Sequence, residues 1–423
     1  MQWCVQLLEN ISFMRSIIHV DGDSFFVSCE LLKRPDLQDK AVITGKERGI
    51  ASSMNMSAKK LGITRGMPVF KIRKEYPSVV ILDSNYKLYE QYNQKILSVA
   101  KRFSNVVEDY SIDECFLEIG DESSTLEENI ITAQNFKKEL QNETGLTFSL
   151  GLAPTKVLAK VASKNKKPNG FTVLTEENRE QFLEDLDIES IWGIGYRSAR
   201  RFRAIGIRQA LDFYKMDLSW IDRNLYVSYR SIWHELHGKR IFEIETKHDL
   251  PKSIQSTRTF PQATYFSDEV FSHLSRNIEI SCKRLREMSL FTNKVAFFVK
   301  EHETFRKKWV EVELLDFTNY PDEIMSQIQN DFKKIFKKST KYRSSGITCY
   351  NLCQKEDMNL SLFGDPFKKD ALYETIDSLS EKFGENSIIL ASSMGSVKSF
   401  QSSKEKILLK QKYFPMPYLG EVN

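Results

Sequence analysis

Ser16-Ile-Ile-His-Val-Asp-Gly-Asp-Ser-Phe-Phe26 is the stretch on which the fold turns. Ile17, Ile18 and Val20 make residues 16–20 mostly apolar, which predicts a buried strand. The strand ends in Asp21 and Asp23, and a helical pattern runs from Ser24 to about Lys33. Acids at a strand end are ordinarily turn residues or helix caps, and Asp23 reads as such a cap. Asp21 gains another meaning beside Asp113 and Glu114, in the Ser111-Ile-Asp-Glu114 turn between two short strands of residues 106–119. If both segments join one sheet, three carboxylates meet at strand ends. Oxygen donors of this kind suit hard, octahedral Mg²⁺. A pair of such ions stabilises the attacking and leaving oxygens of an in-line phosphoryl displacement.

Working outward, residues 41–44 read as a strand and 53–61 as a helix stopped by Gly62. Tyr89, Tyr92, Ile96, Val99 and Phe103 mark one face of an amphipathic helix. A helix is predicted over 126–140 and a strand over 146–152, so residues 15–170 form a mixed α/β core. From Glu176 to about residue 240 the pattern is short helices. Residues 251–345 are mixed again, with strands predicted at 294–300 and 309–315, and from Gly346 the periodicity weakens. No internal repeat is apparent. The chain has 423 residues, 41% hydrophobic and 28% charged, which fits a folded protein of two to four domains. No apolar run reaches the ~18 residues of a membrane helix, and residues 1–13 lack the basic start of a signal peptide. Six scattered cysteines without a CxxC argue against a disulfide scaffold or structural zinc. A reducing, cytoplasmic setting is expected.

The net charge of +4 is too small to announce a nucleic-acid binder; its distribution says more. Ala153–Gly170 holds Lys156, Lys160, Lys164, Lys166 and Lys167 with no acid. Lysines there would face a phosphate held by the metals. Ile191-Trp-Gly-Ile-Gly-Tyr-Arg197 followed by Ala199, Phe202, Ile205 and Gly206 describes a helix-hairpin-helix, whose backbone N–H groups suit a DNA phosphate. Arg197, Arg200, Arg201, Arg203 and Arg208 add five charges. Residues 249–345 carry 17 Lys/Arg against 13 Asp/Glu, with Arg258, Lys294, Lys300 and 306–308 on or beside predicted strands, consistent with a groove along a phosphate backbone.

With these residues in view, the sequence resembles a Y-family, translesion DNA polymerase of the UmuC branch. The resemblance covers about residues 15–365. It rests on I-I-H-V-D-G-D-S-F-F-V-S-C-E at 17–30, Y-S-I-D-E at 110–114, L-A-P-T-K-V-L-A-K-V-A-S-K-N-K-K-P-N-G at 152–170 and W-G-I-G at 192–195. R-P-D-L at 34–37, S-N-Y-K-L-Y at 84–89 and N-L-S-L-F at 359–363 favour the UmuC over the DinB branch. The resemblance implies an α+β right hand: a ferredoxin-like palm (15–24 and 83–172), small fingers (25–82), a thumb with the helix-hairpin-helix (173–240), an α/β little finger (249–345) and a C-terminal tail (346–423). It implies low-fidelity, template-directed synthesis past DNA lesions during repair or the SOS response, by two-Mg²⁺ nucleotidyl transfer. Primer–template DNA and deoxynucleoside triphosphates would be its substrates.

By position, Asp21, Asp113 and Glu114 resemble the family's catalytic metal ligands, with the Gly22 carbonyl as another ligand. Phe25 and Phe26 match the aromatic pair under the nucleotide, Phe26 at the sugar-sensing steric gate. Ser53, Lys59 and Lys167 match triphosphate contacts. Met56 stands where many members have tyrosine, Lys59 where they have arginine, and Asn359 replaces the glutamine opening a clamp-binding pentapeptide. Leu360, Leu362 and Phe363 would enter a sliding clamp; RecA or a UmuD-like protein is a further implied partner, and no membrane is. Two other readings compete: a degenerate DNA-binding accessory subunit, and a palm-type nucleotidyl transferase on free nucleotides. The retained carboxylates argue against the first and the DNA track against the second.

Overall fold

The computed structural model describes residues 15–121, 123–246, 250–358, 369–384 and 387–405. Residues 1–13 and the peptide with Asn359, Leu360, Leu362 and Phe363 lie outside the described residues. The chain divides between residues 248 and 249 into two compact units.

In the first unit, β1 (Ser16–Gly22) leads into α1 (Phe25–Leu32). There follow β2 (Val42–Thr44), β3 (Ser53–Met54), α2 (Met56–Lys60), α3 (Val69–Glu75) and β4 (Val80–Leu82). Next come α4 (Tyr86–Phe103), β5 (Val107–Ser111), β6 (Glu114–Ile119), α5 (Leu126–Thr144), β7 (Phe148–Ala153), α6 (Lys156–Asn165) and β8 (Phe171–Val173). The main sheet has the order β5-β6-β1-β7-β8. β1 is central and antiparallel to both β6 and β7, so each of its seven residues is buried, as its sequence requires. Asn85 caps α4 by accepting from the Leu88 N–H, and a Thr125/Glu128 capping box starts α5. α4 buries Tyr89, Ile96 and Val99 against Ile18, Val20 and Leu117, and each such side chain contributes about 1.5–3 kcal/mol by leaving water. A second sheet, β3-β2-β4, closes on its own small core of Ile43, Ala51, Met54, Ala58, Ile63 and Ile72.

Helices α7 (Glu176–Glu184), α8 (Tyr196–Ala204), α9 (Ala210–Tyr214), α10 (Leu218–Asn224) and α11 (Val227–Leu236) follow. They share a core with the apolar face of α6: Val157, Leu158 and Val161 join Phe202, Phe213, Ile221 and Leu236. The buried Glu235 carboxylate accepts from the Val157, Ile241 and Phe242 N–H groups, fastening the end of α11 to the start of α6.

The second unit comprises β9 (Ile254–Thr264), α12 (Ser267–Glu287), β10 (Leu290–Glu301), β11 (Lys307–Thr318), α13 (Pro321–Ile335), β12 (Tyr342–Gln354), α14 (Asp370–Phe383) and α15 (Met394–Glu405). Its antiparallel sheet has the order β11-β10-β12-β9, with α12 and α13 against one face. β12 runs through the expected boundary at residue 345. Its register with β10 continues to Leu290↔Gln354, and half of it faces away from the helices, so its sequence reads as polar.

One contact here titrates. His273 on α12 is buried, stacks on Phe260 at 4.1 Å, and its Nδ1 lies 2.8 Å from the Ser396 hydroxyl on α15. Burial, and secondarily the Arg258 charge, push its pKa down to about 4. The unfolded chain takes up this proton below pH ~6.5 and the folded one only near 4, so stability is lost as pH falls between those values. Between pH 6.5 and 4.5 the loss should reach roughly 2–3 kcal/mol. Amide exchange of α12 in the full chain should show it, and His273→Gln should remove most of this dependence; an unchanged profile would assign it to other groups.

Candidate active site

The β1–β6 register sets Asp21 opposite Glu114. Asp113 fills the tight turn between β5 and β6, and its carbonyl accepts from the Gly22 N–H at 2.9 Å. Sheet pairing thus unites the acids that sequence alone could only list. Burial pushes Asp21 up to about 6, opposed by Lys167, whose Nζ stands 2.5 Å from Oδ1, and aided by Glu114. Asp113 is likewise raised, first by burial and then by the Asp21 charge, while the Ser111 hydroxyl donates to it at 2.9 Å. Glu114 accepts from Lys160 at 2.6 Å, and that ammonium lies 4.1 Å from the Tyr110 ring centre.

Among the described residues no three His, Cys, Asp or Glu side chains are set to share one ion; Asp21 and Glu114 pair with lysines instead. The donors still fit a hard divalent cation. They are oxygens only, three carboxylates and the Gly22 carbonyl, and burial raises two of the carboxyls, Asp21 and Asp113, so a cation beside them would be favoured.

The lysine row differs from its expected role. Lys156 is buried and paired with Glu108 at 2.7 Å, and Glu108 also accepts from the Glu245 N–H. Lys156 and Lys160 therefore serve acids of the sheet rather than a free phosphate; Lys167 is the lysine of this row that reaches Asp21. Asp23 does not cap α1. The N-cap is Ser24, without a side-chain hydrogen bond, and the Asp23 carboxylate turns to Ser149 and to the Asn169 N–H.

Phe25 and Phe26 part company. Phe25 is buried, with its ring edge-on to Tyr89 at 6.2 Å. Phe26 is half-buried, stacked on Tyr89 at 4.4 Å, and borders a cleft of about 280 Å³ with Arg48, Ala51, Ser52, Arg65 and Tyr86. Ser53 donates to the Ser24 carbonyl at 3.1 Å, and Lys59 reaches the Ser24 hydroxyl at 2.9 Å, so both dock the small sheet onto the first turn of α1.

Arg48 and Arg65 are additions that the sequence reading missed. A signal was present: Gly45-Lys-Glu-Arg-Gly49 and Gly62-Ile-Thr-Arg-Gly66 repeat one G-x-x-R-G turn. All four glycines have φ between 73° and 108°, which side chains rarely adopt. Both arginines consequently line the cleft; Arg48 lies over the Tyr86 ring at 5.0 Å, and the Arg65 charge reaches Asp113.

In the hairpin, Gly195 starts α8, and Arg197, Arg200 and Arg201 are exposed. Arg203 is not free as expected: it pairs with Asp187 at 2.7 Å and Glu189 at 3.2 Å. In the second unit, Lys294, Lys300 and Lys307 lie on the sheet face opposite the helices, with Lys307 over Phe298 and Trp309. Arg258, expected there, falls beside His273 instead.

Three family models match the chain: the impB/mucB/samB family over residues 20–164, the IMS family HHH motif over 176–207, and the impB/mucB/samB family C-terminal domain over 251–362. A protein named DNA polymerase IV from Pasteurella multocida (strain Pm70) is 32% identical over 282 residues, 64% of this chain and 79% of that protein. Another of that name, from Desulfatibacillum aliphaticivorans, is 28% identical over 378 residues, 88% of this chain and 95% of its own. Among solved structures, a chimera of the Y-family DNA polymerases Dbh and Dpo4 superposes with a TM-score of 0.68 at 22% identity, covering 80% of this chain and all of that one. An insertion ternary complex of Dbh DNA polymerase gives a TM-score of 0.53 over the same shares, at 22% identity. Among the described residues, no helix is long and apolar enough to cross a membrane.

Proposed function

The chain belongs to the impB/mucB/samB family of Y-family DNA polymerases, and from that premise we propose that it extends a DNA primer on damaged templates with Asp21, Asp113 and Glu114 as the metal-holding catalytic group. The observation that carries this reading is the β1–β6 register, which sets Asp21 against Glu114 beside the Asp113 turn. Those three carboxylates and the Gly22 carbonyl would hold two Mg²⁺ ions. Bound there, the ions supply charge stabilisation at the attacking and leaving oxygens. The protein's own part is to fix the acids on a buried sheet, to offer Lys167 and Lys59 to a triphosphate, and to place Phe26 against the sugar.

Residues 15–24 and 83–172 serve as palm, 25–82 as fingers and 173–240 as thumb. The little finger begins near 249 and takes in the whole of β12. Fingers of this size cannot form a large closing lid, so the base pair is checked loosely, which favours lesion bypass over fidelity. A role in the SOS response and partners such as a sliding clamp, RecA or a UmuD-like protein belong to the same reading. The UmuC-branch placement rests on three short stretches, whereas both relatives described above carry the name DNA polymerase IV; the polymerase class is common to both branches. Primer extension with Mg²⁺ on undamaged and abasic templates tests the activity. Failure on both templates, with primer–template binding intact, would favour an accessory subunit.

For the thumb, Arg200→Ala with Arg201→Ala should weaken duplex binding evenly across sequences. The log–log salt slope should fall by roughly two units, about 0.9 per lost phosphate contact. Arg203→Ala should change the slope little, because its partners are Asp187 and Glu189. Equal slopes for the double variant and the parent would turn the hairpin away from DNA.

A further inference from the structure

A buried carboxylate that takes no part in the proposed chemistry lies two residues beyond Asp21. Asp23 is 7% exposed. One of its oxygens accepts from the Ser149 hydroxyl on β7 at 2.7 Å, and the other from the Asn169 N–H at 2.7 Å. Its own N–H donates to the Thr147 carbonyl at 3.0 Å, and its carbonyl accepts from Ser28 at 2.8 Å, so the side chain is aimed from both directions. The far side of the same loop is held from α5. Lys137 donates to the Asn169 and Gly170 carbonyls at 2.5 and 3.0 Å, and Gln141 to the Asn169 side chain at 2.6 Å. Gly170 donates to Ser149 at 3.3 Å, closing the network. The loop is tight: a Cβ on Gly170 would stand 2.3 Å from the Lys166 carbonyl oxygen. Asn169 is left-handed at φ 58°, a conformation that asparagine adopts more readily than other side chains and that suits a tight turn.

This loop carries Lys167, whose ammonium stands 2.5 Å from Asp21. A lysine has four rotatable bonds and delivers its charge to one place only if its backbone is fixed. We infer that Asp23 is a positioning residue for nucleotide binding: by accepting from Ser149 and from the Asn169 N–H, it locks the loop that sets Lys167 over the carboxylates. The inference rests on the reading of Lys167 as a triphosphate contact, and it gives Asp23 a purpose that a helix cap would not.

The test uses the full chain on a primer ending in a dideoxynucleotide. That primer lacks the attacking hydroxyl, so deoxynucleoside triphosphate affinity in Mg²⁺ is measured without chemistry. Lys167→Ala and Asp23→Ala should each weaken the affinity about 10-fold, and the double variant should be no weaker than Lys167→Ala alone. Primer–template affinity should stay unchanged in all three. Where Asp23→Ala does not fold, Asp23→Asn keeps the volume but turns an amide N–H₂ toward one of the two donors, and it carries the same comparison. Unchanged nucleotide affinity in the Asp23 variant, or losses that multiply in the double variant, would overturn the inference and leave the role of Lys167 standing. Unchanged affinity in Lys167→Ala would remove the triphosphate reading itself, and the inference with it.

Discussion

Asp113→Ala, and separately Asp21→Ala, should reduce nucleotide transfer by a factor on the order of 10³ or more while leaving primer–template affinity within about threefold. Metal-held charge stabilisation is worth several kcal/mol in the transition state, and each ~1.4 kcal/mol is tenfold in rate. The acids stand close enough to raise one another, Asp113 partly through Asp21 and Asp21 partly through Glu114. Removing one relieves that repulsion but also removes a carboxylate ligand, and the lysines paired with Asp21 and Glu114 cannot ligate a cation in its place. DNA affinity should not fall, since a carboxylate is a poor neighbour for a phosphate backbone. Asp113→Asn separates charge from shape: it keeps an oxygen for the Ser111 hydroxyl, 2.9 Å away, yet should lose nearly as much activity as the alanine variant. Single-turnover extension of one matched primer measures this. Extension by Asp113→Ala at the parent rate would end the carboxylate assignment.

Local patterns made much of this architecture readable. β1 and α4 show their burial in their own residues, because a doubly buried strand and a one-sided helix each leave a distinct apolar period. The acids were readable as candidates, and the register supplied their meeting. What sequence could not show depends on partners far along the chain. Lys156 and Lys160 look like surface lysines until Glu108 and Glu114 face them from the neighbouring strands. Arg203 loses its place among the exposed arginines to Asp187 and Glu189, on the turn before α8. Asp23 looks like a cap until β7 and the 167–170 loop arrive. β9 and the end of β12 were missed for a different reason. β9 alternates covered and exposed positions, and the end of β12 runs out of cover; the exposed residues are Gln and Thr in the first and Tyr, Asn and Gln in the second.

The second large effect is expected at the sugar. Phe26 follows β1 at the first turns of α1, so a nucleotide bound with its phosphates near Asp21 would have its ribose on this ring. A phenyl group excludes a 2′-hydroxyl only if it cannot swing aside. Phe26 is held by its stack on Tyr89 at 4.4 Å and by the edge of Tyr86 at 5.7 Å. Tyr89 in turn is fixed by the hydrogen bond from its hydroxyl to Glu30, at 2.8 Å. A 2′-hydroxyl brought against this assembly would lose its water and find no partner on the ring. Phe26→Ala should therefore raise ribonucleotide relative to deoxyribonucleotide insertion by at least ~10-fold, equivalent to ~1.4 kcal/mol of lost discrimination. Phe25→Ala should act differently. Its ring is 3% exposed and packs on Tyr89, so truncation should cost about 3–5 kcal/mol of stability and lower insertion of both sugars together. Tyr89→Phe keeps the stack but releases the anchor to Glu30, and it should fall between the parent and Phe26→Ala in sugar choice. Single-nucleotide insertion with matched ribo- and deoxyribonucleotides on one template separates these outcomes, and equal discrimination in Phe26→Ala and the parent would move the gate to another residue of the cleft.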